Sequence, residues 1–143
     1  MRFQGKVYKD GNFWLAEVPI FDAMTQGHTR KEALEMIADW FETVADCPDF
    51  SVSVYRGRKG EFEIEASDTR LMIRLLLQRQ RQLNGLSLAA AAERLGAKSR
   101  NAYARYERGT SVPSVEKLDQ LLRAVSPRKD FVLLQSPLKG TRG

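Results

Sequence analysis

The chain has 143 residues, of which 43% are hydrophobic, 29% charged and 9% aromatic, and it carries a net charge of +5. This length suits one ordinary domain or two small ones, and the apolar fraction is that of a globular protein. No apolar run approaches the roughly 20 residues that cross a bilayer, and the start lacks an apolar signal core. A single cysteine, Cys47, can form neither an internal disulfide nor a zinc site by itself, and beside Pro48 it is expected to be a small buried residue. The sequence therefore predicts a soluble cytoplasmic protein with no metal and no other cofactor.

The charges divide unevenly along the chain. Residues 1–66 hold 8 basic and 12 acidic residues, a net charge of −4, whereas residues 67–143 hold 15 basic and 6 acidic residues, a net charge of +9. Opposite signs in the two halves indicate two parts with different partners. Nucleic acid is the partner that suits the basic half.

The first 27 residues have the pattern of strands. Residues 2–18 alternate between apolar and polar side chains on either side of Asp10-Gly11-Asn12, whose residues accept the positive φ angles of a tight hairpin. The second strand stops at Pro19, which cannot donate a hydrogen bond to a neighbouring strand. Residues 20–27 are expected to add a short third strand.

A helix and two more strands follow. Thr29 and Glu32 form a capping-box pair, in which each side chain accepts a hydrogen bond from a backbone N–H at the start of a helix, and apolar residues then recur at helical spacing. Alternating segments at 51–56 and 62–65 predict two further strands. We therefore expect residues 1–66 to form an α+β domain, a small antiparallel sheet with one face covered by one helix.

The second half has the pattern of helices. Capping residues and glycines predict an all-α domain of four to five helices over residues 67–126. The helical segments are 70–83, 88–95, 99–107 and one that begins after Pro113-Ser114 and stops at Ser126-Pro127. The tail, residues 127–143, contains the apolar run Phe131-Val132-Leu133-Leu134, which predicts a short buried strand at 131–134 or a dimer contact.

The segment at 99–107 is expected to be presented to solvent. Two short helices joined by a short turn cannot lie antiparallel, so this helix should cross its predecessor steeply. Helical phase places Tyr103 and Tyr106 in the core together with Ala102. The opposite side carries Arg100, Asn101, Ala104 and Arg105.

These exposed side chains are typical of a DNA-reading surface. Arginine matches the O6 and N7 atoms of guanine, and asparagine matches the N6 and N7 atoms of adenine, in a major groove. The predicted base-reading residues are therefore Arg100, Asn101 and Arg105. The flanking residues suited to phosphates are Lys98, Ser99 and Arg108. Two alternatives remain open: a structural helical bundle whose arginines are merely solvated, and tyrosines that stack on RNA bases.

Residues 86–114 share a set of residues with a known family. The set consists of Ser87, Ala92, Leu95-Gly96, Glu107-Arg108-Gly109 and Pro113. On these residues the segment resembles the helix-turn-helix of the Cro-type phage-repressor (xenobiotic-response-element) family. The resemblance implies that Tyr103 is a core position and that Arg100, Asn101 and Arg105 contact bases. The interval from Gly96 to Glu107 is one residue longer than is usual, so the turn at 97–99 is expected to differ.

The N-terminal half carries a second resemblance. The residues concerned are Phe13-Trp14-Leu15-Ala16-Glu17-Val18-Pro19, Thr25-Gln26-Gly27-His28-Thr29 and Glu32-Ala33-Leu34. On these residues the segment resembles the HicB antitoxin domain, which commonly precedes a DNA-binding module. The resemblance implies an antitoxin that blocks a HicA-like mRNA-cleaving toxin and represses its own operon on double-stranded operator DNA. Because a single small helix binds an operator too weakly, we expect a homodimer or homotetramer. A net charge of −4 suits an inhibitor that covers a cationic surface.

Catalytic signals are weak, and we expect no enzymatic activity. His28 is the single histidine and has no nucleophile or carboxylate beside it in the predicted loop. The acids of the N-terminal helix, Glu32, Glu35, Asp39 and Glu42, recur at the spacing of a solvated face. Two other functions stay open: a stand-alone DNA-binding regulator whose N-terminal domain dimerises or senses a ligand, and a nuclease in the N-terminal domain.

Overall fold

The computed structural model describes residues 1–137 and 141–142. The chain divides into two compact units, and the first combines Met1–Thr69 with the C-terminal residues from Ser136 onward. The second unit is Arg70–Gln135. The first unit is thus larger than the α+β domain expected from the sequence, and the second unit is inserted within it, so that the polypeptide joins the two units at two places.

The first unit is built on an antiparallel sheet. Its strands are β1 (Arg2–Asp10), β2 (Phe13–Val18), β3 (Ala23–Gly27), β4 (Val52–Arg56), β5 (Glu61–Ala66) and β6 (Thr141–Arg142). Their order across the sheet is β3-β2-β1-β5-β4-β6. The strand predicted within residues 20–27 is confirmed, but it begins at Ala23 because a 3-10 turn, Pro19–Phe21, precedes it.

One helix, α1 (Arg30–Ala45), covers one face of this sheet and contacts β1, β2, β3 and β4. Its buried side chains are Ala33, Leu34, Ile37 and Phe41. Phe21 sits between Phe3 and Phe41, with ring centroids 5.0 Å away on both sides and near-perpendicular rings. Edge-to-face packing of this kind gives the core a defined geometry in addition to apolar burial.

The predicted start of α1 is confirmed, with one difference. The Thr29 hydroxyl accepts a hydrogen bond from the Glu32 backbone N–H at 3.1 Å. The Glu32 carboxylate, however, accepts from the backbone N–H of His28 at 3.3 Å, one residue before the N-cap. At the far end of the helix, Cys47 is exposed, so the expectation of a small buried residue there is wrong.

The second unit contains four helices, α2 (Thr69–Leu83), α3 (Leu88–Arg94), α4 (Asn101–Arg108) and α5 (Val115–Val125). Their common core consists of Leu77, Ala91, Ala92, Tyr103, Tyr106, Leu121 and Val125. Ser114 caps α5 by accepting from the Lys117 backbone N–H at 3.1 Å. All four predicted helices are therefore present, within one or two residues of their expected bounds.

The strand predicted at 131–134 is absent. These residues have no regular secondary structure, and Val132, Leu133 and Leu134 are 75%, 94% and 68% exposed. A strand needs a partner, and the strand that pairs with the sheet edge is β6. The reading of 131–134 as a buried strand is therefore wrong.

Candidate nucleic-acid interface

The connection between α3 and α4 sets the position of the predicted recognition helix. Ser87 caps α3 by accepting from the Ala90 backbone N–H at 3.0 Å. At the other end, Gly96 adopts a φ of 80°, and the backbone N–H of Ala97 reaches back to the Ala92 carbonyl at 2.9 Å. This pair of features is a Schellman C-cap, which ends the helix and satisfies its last carbonyls.

Helix α4 begins later than predicted. Its first residue is Asn101, and Arg100 occupies the N-cap position in helical conformation without a side-chain cap bond. The longer interval between Gly96 and Glu107 is therefore accommodated before the helix. As a result Lys98, Ser99 and Arg100 lie in the turn that precedes the first residue of α4.

The buried face of α4 confirms the core placement of the tyrosines. Tyr103 is fully buried and Tyr106 is 6% exposed, so neither ring is available to stack on a base. Burial raises the pKa of the Tyr103 hydroxyl, and the neighbouring Glu107 raises it further. Ala104, expected on the exposed side, is 1% exposed. Ala104 lies roughly 100° around the helix from Tyr103. Because the second unit covers that side as well, the buried face of α4 is wider than predicted.

All six side chains predicted to contact DNA are exposed. They are Lys98, Ser99, Arg100, Asn101, Arg105 and Arg108. They come from eleven consecutive residues and include four cations, so they form a compact basic surface, here called the α4 surface. The acidic residue within the same stretch, Glu107, is turned inward and paired with an arginine of α2.

Two contacts hold side chains of the α4 surface in place. The Arg108 guanidinium donates to the Asn101 side-chain oxygen at 3.1 Å, across two turns of helix. That oxygen has a second lone pair, so the amide is held in orientation without losing its ability to accept from adenine. The Arg105 guanidinium donates to the Tyr106 hydroxyl at 3.3 Å and lies 5.0 Å from the centre of its ring. Arg108 thus contacts Asn101, a predicted base-reading residue. The sequence suggests only a phosphate contact for Arg108.

A largely buried ion pair anchors α4 from its inward side. The Glu107 carboxylate accepts from Arg81 Nε at 2.7 Å and from Arg81 Nη2 at 3.0 Å, and the two side chains are 9% and 13% exposed. The third donor of Arg81 reaches the Leu86 carbonyl at 2.9 Å. The hydrogen bond to Glu107 raises the pKa of Arg81. This bidentate geometry fixes both the position and the rotation of the C-terminal turn of α4.

Sequence reasoning missed the α2 half of this anchor. Arg74 also donates to α4, from Nε to the Glu107 backbone carbonyl at 3.1 Å. Arg74 and Arg81 are seven residues apart and therefore lie on the same face of α2. Two arginines at this spacing, next to the apolar stripe of α2, could have predicted a polar contact with a neighbouring helix.

The first unit contains an open groove between α1 and β4, of about 440 Å³. Its charged side chains are Lys31, Glu35, Asp39, Glu42 and Arg56. Across residues 1–137 and 141–142, no group of three or more His, Cys, Asp or Glu side chains could hold a metal ion. Within the same part of the chain, no helix has the length and apolar content needed to span a bilayer.

A comparison with protein families agrees with the geometry of the second unit. A comparison with curated proteins found no match to the chain. Residues 77–125, about a third of the chain, match the helix-turn-helix family. The match begins within α2 and ends with α5, so it includes the ion-pair anchor, the turn and α4. The second unit is a DNA-binding helix-turn-helix domain, and the chain that carries it is a transcription regulator.

Proposed function

We propose that the protein is an antitoxin and transcriptional autorepressor, in which α4 reads operator DNA and the first unit blocks a HicA-like mRNA-cleaving toxin. The observation that supports DNA reading best is the α4 surface, with four exposed cations and an oriented asparagine on a helix anchored from behind. Arg100, Asn101 and Arg105 read base edges, and Lys98, Ser99 and Arg108 contact phosphates.

Two copies of the chain bind one operator. A recognition helix of eight residues reads a short half-site, and regulators of this kind commonly place two such helices about one turn of DNA apart. A symmetric operator with two half-sites is therefore the expected target of a homodimer.

The assignment of α4 is tested by titrating the full chain against a duplex from upstream of its own gene, with a shuffled duplex for comparison. Replacing Arg100 or Asn101 by alanine should cost about 1–3 kcal/mol on the upstream duplex and reduce the preference over the shuffled one. Lys98→Ala should weaken binding to both duplexes alike. Arg58→Ala, which removes an exposed arginine of the first unit, is the matched control. Undiminished preference in Arg100→Ala and Asn101→Ala would refute the assignment.

The toxin-binding role is supported by charge. Residues 1–66 carry a net charge of −4, and the groove between α1 and β4 has three carboxylates among its charged side chains. A protein that binds and cuts RNA presents a cationic surface, to which an acidic groove is complementary. Glu42 is partly engaged, because its carboxylate accepts from the Val52 backbone N–H at 3.0 Å, whereas Glu35 and Asp39 are exposed.

The test of this role is rescue of growth. The product of the gene adjacent to this one is expressed alone and together with the full chain. We expect the adjacent product to arrest growth and the full chain to relieve the arrest. The double variant Glu35→Lys/Asp39→Lys should lose the relief, and Asp10→Lys/Glu61→Lys, a reversal of two exposed acids outside the groove, should keep it. An adjacent product that is harmless by itself would contradict the antitoxin role and leave the DNA-binding role intact.

A further inference from the structure

The residues that follow α5 consist of an exposed linker and an anchored end. Residues 127–135 contain neither helix nor strand, and apart from Phe131 they are exposed. Anchoring begins at Ser136, whose hydroxyl donates to the Glu63 carboxylate at 2.6 Å. The linker is the C-terminal part of the second unit, and the chain enters the first unit again at Ser136.

The anchor is made of contacts to the sheet of the first unit. Arg2 Nη1 donates to the Pro137 carbonyl at 3.3 Å and to Glu63 at 3.2 Å, and its guanidinium lies 3.8 Å from the centre of the Tyr55 ring. Beyond Pro137, β6 pairs antiparallel with β4 at the sheet edge. The anchor is thus a short strand and a few polar contacts, on surfaces that any copy of the chain possesses.

The linker contains the apolar run of residues 131–134. Leu133 is 94% exposed, and its neighbours Val132 and Leu134 are 75% and 68% exposed. A contiguous, uncharged and strand-forming segment left in water favours association with another chain. Residues 131–134 lie between α5 and the anchored C-terminal strand, in the position of a hinge.

We propose that two copies of the chain exchange their C-terminal segments, so that β6 of each copy pairs with β4 of the other. Exchange preserves every anchor contact, because each copy supplies the same Glu63, Arg2 and β4 to its partner. The two linkers then pass each other around the two-fold axis, where their 131–134 runs pair and are removed from water. The gain over the unexchanged chain is the burial of these two runs.

The exchange connects the two units functionally. The second unit is joined to the first at both ends, so exchange ties each DNA-reading helix to the sheet of the other copy. This inference rests on the proposed reading of two half-sites by two copies, and it names the surface that brings the copies together. The unpaired side of β3, at the opposite sheet edge, is the competing place for a dimer contact.

Exchange is tested by cross-linking between two different single-cysteine variants. Arg56 and Thr141 are register partners in the β4–β6 pair, and Cα atoms so paired lie about 4.5–5.5 Å apart, within the range of a disulfide. Arg56→Cys/Cys47→Ser and Thr141→Cys/Cys47→Ser, one of them tagged, are mixed at low concentration, concentrated and oxidised. We expect a tagged covalent heterodimer on a non-reducing gel. Arg56→Cys/Cys47→Ser mixed with the wild type, whose Cys47 is exposed, is the control for random oxidation.

Sedimentation of the full chain without DNA tests the role of the hinge. Leu133→Asp should raise the dimer dissociation constant at least about tenfold, equivalent to about 1.4 kcal/mol. Val115→Asp, at a residue that is 87% exposed at the start of α5, is the matched control and should leave the constant unchanged.

The outcomes separate exchange from operator binding. A monomeric chain, or a dimer that gives no covalent heterodimer and ignores Leu133→Asp, overturns the exchange. A dimer of the latter kind points instead to another surface such as the β3 edge. Neither result bears on Arg100 or Asn101, because no DNA is present in these measurements.

Discussion

Glu107 is the residue on which the orientation of α4 depends most directly. Its carboxylate and its backbone carbonyl accept from two arginines of α2, Arg81 and Arg74, and its side chain is 9% exposed. The six exposed residues of the α4 surface can present a fixed pattern to DNA because this inward side is pinned. Glu107 therefore has a structural role: it holds α4 in place, and it is not expected to contact DNA itself.

Removing one partner of this pair should cost more than removing both. Arg81→Met leaves the Glu107 carboxylate largely buried without its cation, and a loss of about 3 kcal/mol in the free energy of unfolding is expected. The double variant Arg81→Met/Glu107→Leu should recover part of that loss, because no buried charge remains. Urea unfolding followed by circular dichroism at the helix band measures both.

The two tryptophans supply the internal control for that measurement. Trp14 and Trp40 both lie in the first unit, so their fluorescence reports on that unit alone. The fluorescence transition should be the same in the wild type and in both variants. A single variant as stable as the wild type would show that the pair does not hold α4.

At the scale of elements, α4 is defined by how the chain enters and leaves it. It enters without a side-chain cap, and it leaves through Gly109, which has a φ of 78°. A Cβ at Gly109 would lie 2.8 Å from Arg74 Nε, the atom that donates to the Glu107 carbonyl. The glycine that ends α4 therefore lies directly against the Arg74 side chain that anchors this helix to α2.

Two glycines at helix ends, Gly96 and Gly109, allow the contact between Gly109 and Arg74 to be measured separately from backbone strain. Gly96 closes α3 with a φ of 80° and has no atom within 4 Å of a built Cβ. Gly96→Ala should cost about 1 kcal/mol of stability, from the left-handed backbone alone. Gly109→Ala should cost more, because Arg74 must also move. The difference between the two helix-band urea midpoints, multiplied by the m value, gives the energy of the contact, and equal midpoints would contradict it.

At the scale of the whole molecule, the uneven distribution of charge along the chain sets the expected salt dependence of DNA binding. The region 67–143 carries +9, so affinity for DNA should fall steeply with salt. Each phosphate contact contributes a slope of about one in log K against log salt. Lys98→Ala should therefore make the slope shallower by about two if two copies bind one operator, and by about one if a single copy binds.

The control for the salt experiment is Lys9→Ala, which removes an exposed lysine of the first unit. It should leave the slope unchanged. A slope that Lys98→Ala does not alter would mean that Lys98 makes no phosphate contact, even if affinity at one salt concentration has dropped.

Local patterns in the sequence determined much of this protein. The Thr29 cap, the strand alternation, the four helices of the second unit and the buried tyrosines of α4 follow from periodicity and capping, which act over a few residues. The exposure of Asn101, Arg105 and Arg108 follows from the same helical phase, whereas Lys98, Ser99 and Arg100 are exposed in the turn before the helix. Their assignment to bases or phosphates remains a prediction.

Other features depend on residues far apart in the chain, and only the tertiary structure decided them. Ala104 is buried and Cys47 is exposed because neighbouring elements cover the first and leave the second open. The Arg81–Glu107 pair spans 26 positions, and β6 meets β4 across most of the chain, so no local pattern could reveal either partner. The apolar run at 131–134 has the composition of a strand, but pairing is a property of two segments, and within its own unit that run has no partner strand.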